Sequence, residues 1–472
     1  MNKTIKILIA VVLINIFVQN VFLIGIIKGE NNDNPLWSAH AEYYIEDIAT
    51  SSDGKIIVIG TDEEGYEVWW NYSVTNDTSL TEFYKTRKGS IWTIKGHVWL
   101  MPDDQPMRSD SGAGFVDISS DGKYFVAANQ RSMEEGYTNI YFHEVDSLNS
   151  TSKRLWGYEL DCHPRGVALS SDGDSLVAGT SCGIIYYFKT NSSSPKWTRY
   201  GDNYIIDVDI SSDGKHVIAL ESGSYSGEDG GKLYVFKEDN STPIWKYNMG
   251  RISRITNDVT KSSIKISSNG KYIVAGTSSS IFFFAFDNPN PLWIYNKEGS
   301  LCDVDMSNDG EYIVVLDGEK NEKKALLFRK DSNSPVFNYT LKRDIEKSYR
   351  SYDKRIIGAI SISENGNYFC AADEEFIYLF RKGETEPIWK YKADETSLDK
   401  RYVPVREVSA LKSISMSYDG NLIFIGSGSK LRLFNTNPIV SNKVAESPTP
   451  SGFEAVFVIA GLLTVAYLIR RR

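Results

Sequence analysis

Three segments of this 472-residue chain carry carboxylates at the alternating spacing that a calcium-binding loop uses. They read Asp-x-Ser-x-Asp-Gly and begin at Asp117, Asp209 and Asp305. A calcium loop of this type also needs an acidic residue at its twelfth position and a helix on either side. The twelfth position is alanine or leucine in all three segments, and the flanking residues alternate as in strands. We therefore interpret them as hairpin turns. We predict no metal site, because the five histidines have no ligand spacing and no Cys-x-x-Cys is present.

The four cysteines favour one cross-strand pair. Cys162 and Cys182 lie at equal distances from residue 172, the centre of a predicted hairpin turn, so their side chains would face each other across the hairpin. Because an exported protein permits such a bond, we predict a disulfide between them, with two free thiols as the alternative. Cys302 and Cys370 have no comparable relation and are predicted to be unpaired.

Signatures of catalysis are missing from the sequence. It contains no Gly-x-Ser-x-Gly, no phosphate-binding loop and no His-Glu-x-x-His. Spacing also singles out no set of His, Asp and Ser residues. We therefore predict a non-enzymatic protein with no catalytic residues and no cofactor.

Basic and aromatic side chains concentrate in the predicted loops between successive repeats. The segment 340–358 interleaves arginines and lysines with tyrosines, and 248–262 and 392–412 carry further arginines. The net charge of the whole chain is −9, which argues against bulk nucleic-acid binding. A local positive, aromatic surface suits an anionic glycan or an acidic protein partner, whereas the alternative is a set of solvated loop charges. The candidate binding face comprises Arg251, Arg254, Arg350, Arg355, Arg401, Tyr349, Tyr352 and Tyr402.

The elements that would position these loops repeat eight times. Each repeat has a Ser-x-Asp/Asn-Gly turn between two apolar strands, then a third strand and a fourth strand with an aromatic tip. A period of roughly 40–50 residues is typical of a propeller or a repeat array. The last repeat lacks a fourth strand, and an orphan Pro35-Leu36-Trp37 precedes the first turn. We therefore predict an all-β, eight-bladed β-propeller closed by its N-terminal strand, with seven blades as the main alternative.

The repeat is similar to two known families. Its strand–turn–strand part resembles the WD repeat, although the Gly-His and Trp-Asp dipeptides of that family are missing. Its third strand, polar hairpin and tryptophan resemble the docking unit of quinoprotein-like propellers, as between Val235 and Trp245. The adjacent cysteine pair that quinoprotein dehydrogenases hold beside their cofactor is absent. The resemblance implies that aromatic side chains join neighbouring blades. These would be Trp37, Trp156, Trp197, Trp245, Trp293, Phe337 and Trp389, with Trp92 in the irregular first repeat.

Both ends of the chain are predicted to be membrane segments. Residues 1–30 contain two lysines followed by an apolar run long enough to span a bilayer, which predicts a signal peptide or an uncleaved signal anchor. Residues 34–438 would form the propeller and 439–451 a linker. Residues 452–472 are apolar and end in three arginines, as in a stop-transfer segment. Their Gly-Phe, apolar run and basic end resemble archaeal sorting tails processed by archaeosortases, with a plain transmembrane anchor as the alternative. Either reading places the propeller on the extracellular side of the cell membrane.

Six Asn-x-Ser/Thr sequons lie in the predicted propeller, where an exported protein could carry glycans. The alternative is that Asn and Ser are present as turn formers. The sequon asparagines are Asn71, Asn76, Asn149, Asn191, Asn240 and Asn338.

These features together predict a membrane-anchored, extracellular and monomeric propeller. It would act as a binding or scaffold module for a protein partner or an anionic glycan. The alternatives are a quinoprotein-like dehydrogenase and a component of an envelope assembly complex.

Overall fold

The computed structural model describes one compact unit, Pro35–Thr436, with gaps. The described residues are 35, 37–40, 45–61, 66–71, 83–85, 113–129, 138–146, 151–223, 230–250, 263–277, 279–297, 300–319, 322–341, 358–373, 376–392, 411–427 and 430–436. The predicted segments 1–30, 439–451 and 452–472 lie outside them. Among the described residues, no helix is long and apolar enough to span a membrane.

The architecture is an all-β propeller. Within the described ranges, 32 strands form eight four-stranded antiparallel sheets, here called blades 1 to 8. Blade 1 consists of β2 (Ile45–Thr50), β3 (Ile56–Thr61), β4 (Tyr66–Asn71) and β5 (Phe83–Lys85). Blade 2 consists of β6 (Ala113–Ile118), β7 (Tyr124–Asn129), β8 (Thr138–Asp146) and β9 (Thr151–Leu160). Blade 3 consists of β10 (Pro164–Leu169), β11 (Ser175–Thr180), β12 (Ile184–Lys189) and β13 (Trp197–Tyr200). Blade 4 consists of β14 (Ile205–Ile210), β15 (His216–Glu221), β16 (Gly231–Lys237) and β17 (Trp245–Gly250).

The second half of the ring repeats the same order of strands. Blade 5 consists of β18 (Ile264–Ile266), β19 (Tyr272–Gly276), β20 (Ser280–Ala285) and β21 (Trp293–Asn296). Blade 6 consists of β22 (Ser300–Met306), β23 (Tyr312–Glu319), β24 (Glu322–Arg329) and β25 (Phe337–Leu341). Blade 7 consists of β26 (Ala359–Ile362), β27 (Tyr368–Ala372), β28 (Phe376–Arg381) and β29 (Trp389–Lys392). Blade 8 consists of β30 (Leu411–Met416), β31 (Leu422–Ser427), β32 (Lys430–Asn435) and β1 (Trp37–His40).

A hairpin turn joins the first two strands of each blade, and both side-chain and backbone bonds hold it. In blade 2, the Ser119 hydroxyl donates to Asp121 Oδ1 at 2.7 Å and accepts the Tyr124 N–H at 2.9 Å. Gly122 has φ of +73°, which favours glycine. A Cβ atom there would also lie only 2.7 Å from Cδ1 of Ile56 in blade 1. The turn therefore needs glycine both for its backbone and for its close approach to the preceding blade.

The hairpin turns hydrogen-bond to one another in a closed ring. The second residue of one turn donates its backbone N–H to the second residue of the next, as from Ser120 to the Ser171 carbonyl at 2.9 Å. The links run from Ser52 through Ser120, Ser171, Ser212, Ser268 and Asn308 to Glu364, then from Asn365 to Tyr418, and from Tyr418 back to Ser52. The first strands of the blades pack in the same order, and β30 packs against β2. The ring has eight members and no open end.

Strand β1 completes blade 8, as the orphan Pro-Leu-Trp segment predicts. It runs antiparallel to β32, with Trp37 opposite Leu433 and His40 opposite Lys430. The edge of β32 that would otherwise offer unpaired N–H and C=O groups is thereby paired. The two ends of the described chain are thus held in one sheet.

The core lies between the blades, so both faces of each sheet are covered. Every residue of Ser175–Thr180 is buried. In the cluster between blades 2 and 3, the Trp156 ring stacks between Phe142 and Phe188, with centroid distances of 5.3 and 5.5 Å. Burial on both faces explains why the second and third strands read as continuous apolar runs rather than alternating ones.

Candidate functional site

The first strands of the blades surround the central channel of the propeller and carry six aspartates. The aspartates stand two or four positions before the turn serine, where side chains share one face of the strand. Lys265 stands two positions before the turn of blade 5. The residues two positions before the turn include Asp117, Asp209 and Asp305, and those four positions before it include Asp47, Asp207 and Asp303.

Each of these carboxylates links two neighbouring blades. Asp117 accepts the N–H of Ile118 in its own blade at 2.8 Å and the N–H of Leu169 in blade 3 at 2.7 Å. In the same way, Asp305 accepts the N–H of Ile362 in blade 7 at 3.0 Å. The remaining inter-blade bonds run from Asp47 to Val116, from Asp207 to Ser263 and Ile264, from Asp209 to Ile266, and from Asp303 to Ile360. The aspartates therefore connect neighbouring blades along the inner wall of the ring. These six aspartates and Lys265 are called the channel wall below.

The charges at this wall act on one another. The charge of Asp209 is the main cause that raises the pKa of Lys265 above its usual value. Asp305, Asp117 and Asp207 add to this effect, against the opposing effect of burial. Burial raises the pKa of Asp207 to about 7, and the charge of Asp209 adds to it. Burial likewise raises the pKa of Asp117 to about 6. These side chains lie deep in the ring but keep partial exposure towards the channel.

The wall therefore combines a permanent cation with carboxyl groups that exchange protons near neutral pH. The Lys265 ammonium is protonated and has no free electron pair with which to attack a substrate. The three calcium-like segments are hairpin turns, since their turn aspartates accept the serine hydroxyl and a backbone N–H. Within the described part of the chain, no group of three or more His, Cys, Asp or Glu residues is placed to hold a metal ion.

Indole groups join neighbouring blades by hydrogen bonds as well as by packing. Trp156, Trp197, Trp245 and Trp293 each donate Nε1–H to a carbonyl just after the third strand of the next blade. Their acceptors are Thr190, Glu238, Phe286 and Lys330, at 2.7, 3.1, 2.7 and 2.9 Å. Phe337 takes the same position in blade 6 and packs on Phe380 of blade 7 with a centroid distance of 5.1 Å. Trp389 packs on Phe434 of blade 8 at 4.8 Å, but its Nε1 has no acceptor in the described part of the chain. The side chain of Trp37 and all of Trp92 lie outside the described residues.

The sulfur atoms of Cys162 and Cys182 form a disulfide, with the two Cα atoms 6.0 Å apart. The bond joins the loop between blade 2 and blade 3 to the loop after β11. Cys370 is a buried free thiol, and burial raises the pKa of this thiol above its usual value. The side chain of Cys302 lies outside the described residues.

The predicted basic and aromatic binding face lies outside the described residues. This applies to Arg251, Arg254, Arg350, Arg355, Arg401, Tyr349, Tyr352 and Tyr402. Of the sequon asparagines, Asn191, Asn240 and Asn338 have exposed side chains, as glycan attachment requires. Asn76, Asn149 and the side chain of Asn71 lie outside the described residues.

Sequence reasoning missed the channel wall. The Val-Asp-Ile and Val-Asp-Met runs before the turns have the alternation of a half-buried strand, which alone does not single out their aspartates. Asp117, Asp209 and Asp305 instead lie near enough to Lys265 for their charges to raise its pKa. The available signal was the recurrence of Asp at fixed positions before the turn, together with a single Lys at one of them.

The fold is similar to that of solved WD40 propellers. It matches the C-terminal WD40 domain of Sif2 with a TM-score of 0.58 and 12% identity, over 84% of this chain and 97% of that one. It matches Sqt1 from Chaetomium thermophilum with a TM-score of 0.57 and 11% identity, over 85% of this chain and 98% of that one. At this level of identity the likeness shows the fold alone. No curated protein matches the sequence.

The end of the chain gives a second finding. Residues 452–472 match the PGF-CTERM motif. This match indicates a C-terminal sorting and anchoring signal for the cell surface. It agrees with the resemblance to archaeal sorting tails that the Gly-Phe, apolar run and basic end carry.

Proposed function

We propose that this protein is a cell-surface propeller that binds a protein or glycan partner and does not catalyse a reaction. The observation that carries the proposal is the closed ring of eight hydrogen-bonded turns on a chain that ends in a PGF-CTERM motif. Such a ring is a rigid frame, and loops on a rigid frame are the usual place for recognition. The motif would hold this frame at the surface, with the propeller on the extracellular side.

The partner class follows from charge. The proposed binding face has basic and aromatic residues between successive blades, on a chain whose net charge is −9. Cationic and aromatic side chains together suit an acidic protein surface or an anionic glycan, because the charge attracts and the rings stack. A partner of this kind would bind more weakly as salt rises.

The first test is a crosslinking experiment on the full-length protein in its native envelope, followed by identification of the captured molecules. A reproducible protein or glycan partner would support a binding role. Recovery of the propeller alone under every crosslinking chemistry would contradict it.

The second test locates the binding face. Arg350, Arg355 and Arg401 are changed together to Ser, and binding to anionic envelope polysaccharide is measured at two salt concentrations. A matched control changes the exposed turn lysines Lys55, Lys123 and Lys215 to Ser, which removes the same charge elsewhere. The first variant should lose affinity and salt dependence, and the control should keep both. Equal losses in the two variants would show that net charge alone attracts the polysaccharide.

A further inference from the structure

Arg432 is a buried cation that forms no ion pair with any residue in the described part of the chain. It lies in the middle of β32, opposite Ser38 on one side and Ile425 on the other. Its side chain is 1% exposed, and it is among the largest fully buried side chains of the described residues. Within the described part of the chain, neither Nη1 nor Nη2 has a hydrogen-bond partner.

The repeat shows that this position is apolar or aromatic elsewhere. In blades 3 to 8 it is the residue just before the one that pairs with the docking aromatic of the fourth strand. It faces the preceding blade, as Tyr186 does where its ring meets Tyr158 of blade 2 at 5.6 Å. In blades 3 to 7 the position holds Tyr186, Tyr234, Phe282, Leu326 and Tyr378, all of them buried. Arg432 therefore brings a charge into a seam that the fold fills with apolar groups.

An arginine cannot escape this cost by losing its proton, because the guanidinium stays charged in proteins. A buried charge without a partner is strongly unfavourable, whereas an apolar residue of similar size in its place is often neutral or stabilising. A residue that breaks the pattern of the repeat and lowers stability is a candidate for a functional role.

The same seam contains a second unmatched donor. Trp389 of blade 7 packs against Phe434, two residues after Arg432, and its indole N–H lacks the carbonyl acceptor that four other tryptophans have. Among the described residues, the unpaired buried atoms of Arg432 and Trp389 are all N–H donors, and the Ser413 hydroxyl on the first strand of blade 8 is a further unpaired group. The seam has donors and positive charge in excess.

We propose that the seam between blades 7 and 8 binds a small oxyanion, such as inorganic phosphate or sulfate, through the guanidinium of Arg432. The planar guanidinium offers two parallel N–H bonds, which match the spacing of two oxygens on one oxyanion. Binding neutralises the buried charge and stabilises blade 8, the blade that closes the ring.

The test measures the melting temperature of the full-length protein in detergent at constant ionic strength, while sodium phosphate or sodium sulfate replaces sodium chloride over the low millimolar range. Wild type should show a saturable rise that follows RT ln(1 + [L]/Kd). Arg432→Leu and Arg432→Tyr should show no rise, since Tyr restores the residue type of blade 7. Arg381→Leu, which removes a surface arginine paired with Glu384, should respond like wild type.

Calorimetric titration of wild type with phosphate keeps the proposal testable if either Arg432 variant fails to fold. Heat of binding to one site in wild type, absent in a folded Arg432 variant, supports it. No binding to wild type, or the same anion response in wild type and Arg432→Tyr, overturns it. A higher melting temperature of Arg432→Tyr in every salt, with no phosphate response in wild type, would show that the guanidinium is an uncompensated charge.

Discussion

At the level of single residues, one carboxylate can hold two blades together. Asp207 accepts the N–H of Val208 in its own blade at 2.9 Å, and those of Ser263 and Ile264 in the next blade at 2.8 and 3.2 Å. The hydrogen bonds favour the charged form of this carboxyl, and burial disfavours it. The effect of burial is larger, because the pKa is raised to about 7. The charge of the Asp207 carboxyl is therefore sensitive to pH near neutrality.

Asp207→Asn tests this sensitivity. The folded-state pKa of about 7 lies above the unfolded value of 3.8, so the folded protein keeps a proton that the unfolded chain releases between these values. The stability that this carboxyl contributes is complete below pH 3.8 and is lost as pH rises through 7. The melting temperature of wild type should therefore fall between pH 5 and pH 8, and the fall should be smaller by a few degrees in Asp207→Asn.

The control for this prediction is Asp239→Asn, a change at an exposed aspartate outside the channel, which should leave the fall unchanged. The pKa values of Asp117 and Asp209 are also raised. The fall of the melting temperature with pH should therefore be reduced in Asp207→Asn rather than abolished. Parallel pH profiles of Asp207→Asn and wild type would show that the Asp207 carboxyl does not titrate in this range.

Buried charged residues such as Arg432 are hard to predict from sequence, and the reason is geometric. In a strand with one covered face, alternating polar residues point to solvent, so Lys430 and Arg432 both read as exposed. A blade has both faces covered, and Arg432 is buried by the neighbouring blade rather than by its own sheet. The pair Cys162 and Cys182 was predictable because symmetry about a turn is a local property.

At the level of elements, the fourth strand of each of blades 2 to 7 contributes one aromatic side chain that reaches the next blade. Trp293 and Trp389 are matched in burial, at 9% and 6% exposed, and each packs on a phenylalanine ring of the next blade. They differ in one bond, since Trp293 donates to the Lys330 carbonyl at 2.9 Å and Trp389 has no acceptor among the described residues. This difference isolates the contribution of the indole hydrogen bond.

Trp293→Phe should lower the free energy of unfolding by about 1 kcal/mol more than Trp389→Phe, because only the first change leaves a carbonyl without its donor. Both changes remove a similar volume from a similar position, so packing losses largely cancel. Chemical denaturation of the two variants measures the difference. An equal loss in both, or a larger loss for Trp389→Phe, would mean that packing alone governs the seam.

The disulfide is the covalent counterpart of these bonds. Cys162 and Cys182 are 20 positions apart, and closing a loop of this length contributes about 3 kcal/mol in the chain-entropy account. Replacing both by Ser should lower the denaturation midpoint by a corresponding amount. Wild type in reducing agent should match the double variant, and a reducing agent should leave the double variant unaffected. Wild type that melts identically with and without reducing agent would contradict the prediction.

At the level of the whole molecule, the ring depends on a strand from the other end of the chain. Removing residues 1–40 deletes β1 and leaves the outer edge of β32 unpaired, which offers a template for aggregation. We expect this truncated protein to be insoluble or aggregated. A protein that lacks residues 1–32 and 445–472 but keeps β1 should remain a soluble monomer on size-exclusion chromatography. Equal solubility and equal melting temperatures would show that β1 is dispensable for closure.

The architecture was predictable because each blade contains a short local motif, the Ser-x-Asp/Asn-Gly turn, whose glycine lies at positive φ. The described residues contain one such turn per blade, from Gly54 to Gly420. The partner was not predictable in the same way. The proposed recognition would depend on loops such as 340–358, whose side chains follow no repeat in the sequence.

The closure by β1 also sets an order in time. Trp37 emerges early during synthesis, but its partner Leu433 follows about 400 residues later, so at roughly 5–20 residues per second β1 waits for about 20 to 80 seconds without a strand to pair with. Earlier blades can form meanwhile, since their strands are neighbours in sequence. Blade 8 is therefore the last to be completed, and until β32 is made the strand β1 has no partner strand. Unpaired strand edges on a growing chain are prone to aggregation whatever the stability of the finished ring.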